Sequence, residues 1–334
     1  MTELIDRFGR KHTYLRISVT DRCNLRCLYC MPEEGMTFME QERLLTFGEI
    51  ERVVEAAAAR GISKLRITGG EPLVRPNLDE LIERLAAIPG IREIALTTNG
   101  LLLEKQAKRL KEAGLTRVNI SLDTLDPARF RFIARRGHLD RVLDGIRAAA
   151  EAGLAPIKLN CVLLKGINED EIESFLRMTL EQPLHVRFIE YMPIGHDDAG
   201  WRSHYLPLAR VLETAEAAGF GLELGEDAPA GSGPSENWRI RGAAGTFGLI
   251  HPISEHFCQS CNRLRLTADG HIKPCLYWMD ELNVRAALGS REELDALLDR
   301  AMAIKPENHE MAALLAGETL SRAPTERRMS QIGG

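Results

Sequence analysis

Short apolar runs alternate with helical patterns over the first two thirds of the chain, and this alternation constrains the fold more than any other feature. Strands that are apolar on both faces and alternate with helices form parallel sheets covered by helices. Eight such units would close a barrel, so six predict a partial one. We expect an α/β fold, a partial (β/α)6 TIM-type barrel over residues 1–218. The six predicted strands are 15–19, 64–68, 93–96, 117–120, 157–164 and 185–189.

The composition and the pattern of apolar residues change after residue 218. Residues 227–237 are rich in Gly, Pro and Ser, which indicates a loop. We expect a small C-terminal domain over 219–321 made of an antiparallel sheet and helices, with Ala268-Asp269-Gly270 as a hairpin turn. A flexible tail over 322–334 follows. The predicted elements of this domain are strands at 238–241, 246–250, 263–267 and 271–273, and helices at 281–287 and 291–304.

Composition and charge exclude several classes of protein. The 334 residues carry a net charge of −5, which gives no reason to expect nucleic acid or membrane binding. The first residues lack the apolar core of a signal peptide, and no apolar stretch has the length of a membrane span. We therefore expect a cytoplasmic protein. The seven cysteines of such a protein favour metal binding or catalysis over disulfides.

The first cysteine triplet follows the first predicted strand directly. Cys23, Cys27 and Cys30 have the spacing Cys-x3-Cys-x2-Cys, with Tyr29 just before the third cysteine. A structural zinc site needs four ligands, and disulfides need pairs. Three thiolates instead suit a [4Fe–4S] cluster whose fourth iron has no protein ligand. A zinc site completed by a distant residue, or an inert loop, remains an alternative.

The second triplet lies in the predicted C-terminal domain. Cys258, Cys261 and Cys275 have the spacing Cys-x2-Cys-x13-Cys, which also suits half of a zinc ribbon. The seventh cysteine, Cys161, lies in an apolar run and is expected in the core. Histidines that could complete a zinc site are His251, His256 and His271.

The cysteine loop and the residues around it resemble a known family. Residues 15–35 and the segment 256–267, His-Phe-Cys-Gln-Ser-Cys-Asn-Arg-Leu-Arg-Leu-Thr, are similar to the GTP 3′,8-cyclases of molybdenum cofactor biosynthesis, which belong to the radical S-adenosylmethionine (SAM) superfamily. The resemblance covers the chain from about Leu15 to Gly334. It implies a lyase with a radical SAM barrel, SAM and two [4Fe–4S] clusters. Each cluster would have three cysteine ligands, and the second would meet the purine of GTP.

The resemblance also implies site residues. A triphosphate needs fixed cations, and arginine binds phosphate oxygens in pairs. Cations on apolar strands are costly unless they are paired or functional, and Arg16, Arg66 and Lys158 lie on predicted strands. Gly333 and Gly334 would reach the active site and take part in catalysis. The implied SAM contacts are Tyr29, Gly70, Ser121 and Met192, and the implied GTP contacts are Arg16, Arg66, Thr97, Lys158, Arg263 and Arg265.

The implied reaction begins molybdopterin biosynthesis. An external one-electron reductant would start SAM cleavage, the hydrogen at C3′ of GTP would be abstracted, and C3′ would bond to C8. The product would be (8S)-3′,8-cyclo-7,8-dihydroguanosine 5′-triphosphate, which a cyclic pyranopterin monophosphate synthase would consume. The oligomeric state stays open, a homodimer included. Alternatives are another radical SAM enzyme with an auxiliary cluster, such as a peptide-modifying maturase, or a zinc-containing binding protein.

Overall fold

The predicted alternation of strands and helices is present in the computed structural model, which describes residues 2–195, 200–225, 233–255 and 257–333. The six predicted barrel strands are confirmed, each within about two residues of its expected bounds. The strands of the described residues are β1 Tyr14–Ser18, β2 Lys64–Thr68, β3 Glu93–Thr98, β4 Arg117–Ser121, β5 Lys158–Leu163, β6 His185–Glu190, β7 Leu222–Leu224, β8 Glu236–Ile240, β9 Thr246–Ile250, β10 Arg263–Leu266, β11 His271–Lys273 and β12 Leu282–Asn283.

Helices connect the strands and cover the sheet. Short 3-10 helices lie at Gln41–Arg43, Pro72–Val74, Glu169–Glu171, Cys258–Ser260 and Arg285–Ala287. The α-helices of the described residues are α1 Phe47–Ala59, α2 Leu78–Ala86, α3 Ala107–Glu112, α4 Pro127–Ala134, α5 Leu139–Glu151, α6 Ile172–Glu181, α7 Trp201–His204, α8 Ala209–Ala217, α9 Arg291–Ile304, α10 Met311–Ala316 and α11 Met329–Ile332. Within the described residues, no helix combines the length and apolar character that crossing a membrane requires.

All the described strands form one sheet, in the order β12-β11-β10-β1-β2-β3-β4-β5-β6-β9-β8-β7. The first six strands are parallel, and the sheet does not close into a barrel. The C-terminal strands extend both of its edges. β10 pairs parallel with β1 and β9 pairs parallel with β6, while the outer strands pair antiparallel. The antiparallel extension is thus confirmed for the outer strands, and two of its strands lengthen the parallel sheet.

Local sequence signals explain where helix α1 begins and ends. The Thr46 hydroxyl accepts a hydrogen bond from the Glu49 amide at 3.2 Å, and the Glu49 carboxylate accepts one from the Thr46 amide at 2.7 Å. This capping box satisfies two amides that have no partner within the helix. Gly61 adopts a φ of +100° just after the helix, a conformation that favours glycine. The helix buries Ile50 and Val53 against the sheet.

Two apolar clusters form the core. The larger lies between the sheet and the helices and includes Cys161, which is fully buried as the sequence predicts. The smaller cluster lies near the C-terminal end of the chain. It packs Ile332 of α11 with Trp278, Tyr277 and Tyr191, so the last helix contributes to the core.

The C-terminal tail differs from the flexible segment that we expected. Thr325 donates its amide proton to the Tyr277 carbonyl at 2.6 Å, and residues 329–332 form a helix. Arg327 donates to both carboxylate oxygens of Asp269 at 3.1 and 3.0 Å and to those of Glu281 at 2.8 and 2.7 Å. The polar tail lacks helical periodicity, but long-range partners order it. Gly334 lies outside the described residues.

The helix expected at 281–287 is also corrected. Leu282–Asn283 pairs with β11 as strand β12, and only Arg285–Ala287 forms a helical turn, of the 3-10 type. The Val284 amide donates to the Gly270 carbonyl at 2.9 Å, so pairing with the hairpin replaces helical bonds. Residues 227–232 of the loop predicted at 227–237 lie outside the described residues. The domain bounds at residues 218 and 321 remain predictions.

Candidate active site

A row of cations crosses the face of the sheet that lines the partial barrel. The strand register places Arg16 beside Arg265 of β10 on one side and beside Arg66 of β2 on the other. Neighbouring strands are about 4.8 Å apart, and residues in register point to the same face. Arg66 and Arg265 are each only 5% exposed. Three guanidinium groups from distant parts of the chain therefore lie side by side.

The row continues at the other side of the barrel with Lys158. This lysine is fully buried, and its Nζ has no hydrogen-bond partner in the described part of the chain. Burial and the nearby charges of Arg187, Arg117 and Arg66 lower its pKa to about 6. Arg117 is paired with Glu93 at 2.5 Å, and Lys158 makes no ion pair with any of the described residues. This environment favours a bound polyanion.

Other buried polar atoms of this face also lack partners. Within the described residues they include the Nε atoms of Arg16, Arg66 and Arg187 and the hydroxyl of Thr97. Burial is the main factor that lowers the pKa of Arg16 and Arg66 to about 9. Unpaired buried donors usually belong to a site that a ligand fills. The pattern supports the implied GTP contacts on β1, β2, β3 and β5.

The first cysteine triplet lies on the loop after β1, and α4 holds this loop. The Arg26 and Leu28 amides donate to the carbonyls of Ala134 and Ile133 at 3.0 and 2.9 Å. The Cys30 amide donates to the Cys27 carbonyl at 2.9 Å, which forms a tight turn. Burial raises the pKa of Cys23 to about 12 and of Cys30 to about 11, and the thiols interact electrostatically. Such thiols become thiolates when a metal binds them.

The pair Gly69-Gly70 after β2 lets the backbone of this turn approach the backbone of residues 20–22 closely. A Cβ at Gly70 would collide with the Arg22 and Asp21 carbonyls, so only glycine fits beside the cysteine loop. The neighbouring Glu71 is buried and accepts from the Asn99 amide at 2.7 Å and the Thr98 hydroxyl at 2.8 Å. Burial raises its pKa to about 7. This turn forms a backbone cradle against the first triplet.

The other implied SAM contacts lie at the carboxyl ends of strands. Ser121 ends β4, and the Tyr29 hydroxyl donates to the Asp123 carboxylate just beyond it at 2.7 Å. Burial raises the pKa of Asp123 to about 6. Met192 follows β6 and lines the cavity of the second triplet. The structure thus brings these residues to one end of the barrel, where the working groups of such folds lie.

The second triplet lines a cavity with the basic residues of β10. Cys258, Cys261 and Cys275 share it with Arg263 and Arg265. Burial alone would raise the pKa of Cys261, but the charges of Arg263 and Lys305 outweigh it and lower that pKa to about 6. Burial raises the pKa of Cys258 to about 11. The cavity therefore joins three thiols to the row of cations.

The three sulfur atoms of each triplet are not gathered into a compact tetrahedral arrangement in the described residues. A tetrahedral zinc site holds its sulfur ligands about 3.8 Å apart. In the part of the chain that the structure describes, neither triplet has all three sulfurs within 4.8 Å of one another. His251 lies 3.4 Å from Glu236, and His271 lies 3.3 Å from Asp269. His256 lies outside the described residues.

The tail reaches this site. The carbonyl of Gly333 accepts a hydrogen bond from Arg265, and a Cβ at Gly333 would collide with Thr68 of β2. The Ser330 amide donates to the Cys30 thiol. The tail therefore lies between the first triplet and the cation row. Gly334, the other implied tail residue, lies outside the described residues.

Several site residues were missed by sequence reasoning. Arg187 is 2% exposed, and its charge acts on Lys158. Like Arg66, it is a charged residue on an apolar strand, which is a local signal that could have identified it. Lys305 lies 3.7 Å from the Cys261 sulfur. Arg10 donates to the Cys258 carbonyl at 2.7 Å. No local pattern distinguishes Lys305 or Arg10 from surface cations, because both reach the site through long-range contacts.

Comparisons with known proteins agree with this geometry. A family model described as "Radical SAM superfamily" matches residues 17–179. The crystal structure of Streptococcus suis SuiB bound to S-adenosylmethionine has a TM-score of 0.61 and 17% identity, covering 92% of this chain and 69% of that chain. The fold and the sequence together place the chain in the radical SAM superfamily. Membership implies one [4Fe–4S] cluster and SAM.

The curated relatives narrow the family. A second model, "Molybdenum Cofactor Synthesis C", matches residues 184–311. The GTP 3′,8-cyclase of Listeria welshimeri is 57% identical over 334 residues, the whole of both chains. That of Lactiplantibacillus plantarum is 49% identical over the same length, and that of Moorella thermoacetica is 51% identical over 98% of this chain and 99% of its own. The chain belongs to the GTP 3′,8-cyclase family, and it is an enzyme.

Proposed function

We propose that this enzyme cyclises GTP by removing the hydrogen from C3′ of the ribose and joining C3′ to C8 of guanine. The observation that carries the proposal is the row of buried cations between two cysteine triplets. Lys158 and the arginines around it lack enough counterions, so they suit a triphosphate. The guanine would then lie toward the cavity of the second triplet. The ribose would lie between the Arg265 end and the Lys158 end of the cation row.

The first triplet and the turn after β2 would hold the cofactors. Cys23, Cys27 and Cys30 would bind a [4Fe–4S] cluster, and the tight backbone at Gly70 would contact SAM. When bound together, these groups supply the 5′-deoxyadenosyl radical that starts reactions of this superfamily. Tyr29, held by its bond to Asp123, would shape the SAM site with Ser121 and Met192.

The protein's own residues would position and shield the substrate. Arg66, Lys158 and Arg187 would neutralise the triphosphate, and Thr97 would add a neutral hydrogen bond. Arg265, which already holds the Gly333 carbonyl, would place the tail beside the substrate and exclude water. Gly333 and Gly334 would therefore act by packing and orientation. Arg16 and Arg263 would complete the cation row toward the second triplet.

We also propose that Cys258, Cys261 and Cys275 hold a second [4Fe–4S] cluster that contacts the guanine. Their thiols line the same cavity as Arg263 and Arg265. All seven cysteines are free, which is consistent with a reducing, cytoplasmic environment. The reaction would need an external one-electron reductant. Its product would pass to a cyclic pyranopterin monophosphate synthase, as the first step of molybdopterin synthesis.

An anaerobic turnover assay tests this function. The chain is reconstituted with iron and sulfide and given SAM, dithionite and GTP, and products are identified by mass. We expect 5′-deoxyadenosine and a cyclic isomer of GTP. Cys27→Ser should abolish both products, whereas Cys261→Ser should retain some 5′-deoxyadenosine and lose the cyclic product. Absence of both products from a chain that holds about eight irons would refute the proposal.

A further inference from the structure

The segment from Lys305 to His309 has no role in the proposed reaction, yet it lines the same cavity as the three cysteines of the second triplet. Lys305 is 2% exposed. Its ammonium donates to the Pro274 carbonyl at 2.6 Å and the Arg263 carbonyl at 3.0 Å, and it lies 3.7 Å from the Cys261 sulfur. Pro274 directly precedes Cys275. One buried ammonium therefore joins the backbones next to two of the cysteines.

Arg10 holds the third cysteine in the same way. Its guanidinium donates to the Cys258 carbonyl at 2.7 Å, and also to the carbonyls of Pro306 at 2.6 Å and Glu307 at 2.7 Å. The Asp6 carboxylate accepts from Arg10 Nε at 2.6 Å and fixes the orientation of the guanidinium. Arg10 thus ties the Cys258 turn to the segment that carries Lys305.

Donors also reach two of the sulfur atoms. The Tyr277 amide donates to the Cys275 sulfur at 3.4 Å. The Lys305 ammonium contacts the Cys261 sulfur at 3.7 Å. Donors to sulfur stabilise the more negative, reduced form of an iron–sulfur cluster.

We propose that Lys305 and Arg10 are positioning residues for a cluster at the second triplet. They fix the three cysteine loops in place, and Lys305 raises the reduction potential through its contact with Cys261. The inference rests on the proposed function, because it assumes that the second triplet binds a cluster. Outer contacts of this kind commonly change metal retention by about 10- to 100-fold.

The test uses the full chain in a Cys27→Ser background, so that the remaining iron reports on the second triplet. Lys305→Met and Arg10→Gln remove the two cations. The matched controls are Lys11→Met and Arg7→Gln, which remove exposed cations of the same neighbourhood. Iron release to a chelator is followed by absorbance, and the midpoint potential by electron paramagnetic resonance.

We expect both variants to release iron about 10- to 100-fold faster than the parent, and Lys305→Met to have a lower midpoint potential. The controls should match the parent. If the parent binds about four irons and both variants release them at its rate, the inference is wrong and the proposed function stands. If the parent binds none, the second cluster itself fails. Should Lys305→Met not fold, Arg10→Gln, which leaves the contact between Lys305 and Cys261 in place, decides the question of retention.

Discussion

Substrate binding should depend on pH through Lys158, because this lysine is buried among cations. With a pKa of about 6, it is neutral in the empty site above pH 7. A bound triphosphate favours the charged form, so GTP binding should be accompanied by uptake of one proton. The charged lysine is the form that binds GTP tightly. Affinity should therefore fall as the pH rises above the pKa of the empty site.

The magnitude follows from the linkage between protonation and binding. Once Lys158 is mostly neutral, each pH unit changes the dissociation constant by about tenfold, or about 1.4 kcal/mol. We expect this loss of affinity between about pH 7.5 and about pH 8.5, where the triphosphate itself no longer titrates appreciably. Calorimetry in buffers of different ionisation enthalpy measures the proton uptake directly, and the same titrations give the dissociation constant.

Two variants separate Lys158 from the other groups. Lys158→Met should bind GTP more weakly at low pH and should lose about one proton of uptake and most of the pH slope. Lys165→Met, which removes an exposed lysine two residues after β5, should retain both. A wild-type chain that takes up no proton, or a Lys158→Met variant with an unchanged slope, would refute this account of the triphosphate site.

Three further predictions concern the tail. Arg265→Ala should weaken GTP binding by about 1.5–3 kcal/mol and speed hydrogen exchange over 329–333; unchanged affinity and exchange would contradict its double role. Gly333→Ala should displace the tail and lower turnover, because the added Cβ would collide with Thr68. The control is Gly317→Ala: Gly317 has a similar positive φ but open space around it, so this variant should leave turnover unchanged. Arg327→Gln should loosen the tail by about 1.5–3 kcal/mol in hydrogen exchange, and normal protection would show that the two carboxylates do not anchor it.

The barrel strands could be predicted because each is a local apolar pattern bounded by glycine or polar residues. The capping box of Thr46 and Glu49 is likewise local, and the structure contains it. The pairing of β10 with β1 could not be predicted, because it joins Arg265 to Arg16 across most of the chain. Period-2 alternation identifies a strand but does not specify its neighbour or the direction of pairing.

In the candidate site, too, the residues with a local sequence signal could be predicted and those placed by long-range contacts could not. Arg66 was implied by the family resemblance and supported by its charge on an apolar strand, and Arg187 carries that same local signal. Arg10 and Lys305 carry no such signal, since neither lies on a predicted strand. Their position depends on the fold of the C-terminal region, which brings both beside the second triplet. The roles of the implied SAM and GTP contacts remain predictions.

The parallel pairing at both sheet edges has a consequence for the synthesis of the chain. Strands β1 and β6 acquire their outer neighbours only when residues 246–266 have left the ribosome. Until then, the first six strands have two open edges, which readily pair with other chains. Contacts of such long sequence separation also form slowly. A nascent chain that stops near residue 218 should therefore aggregate or recruit chaperones, and release of the full chain should precede stable assembly of the sheet.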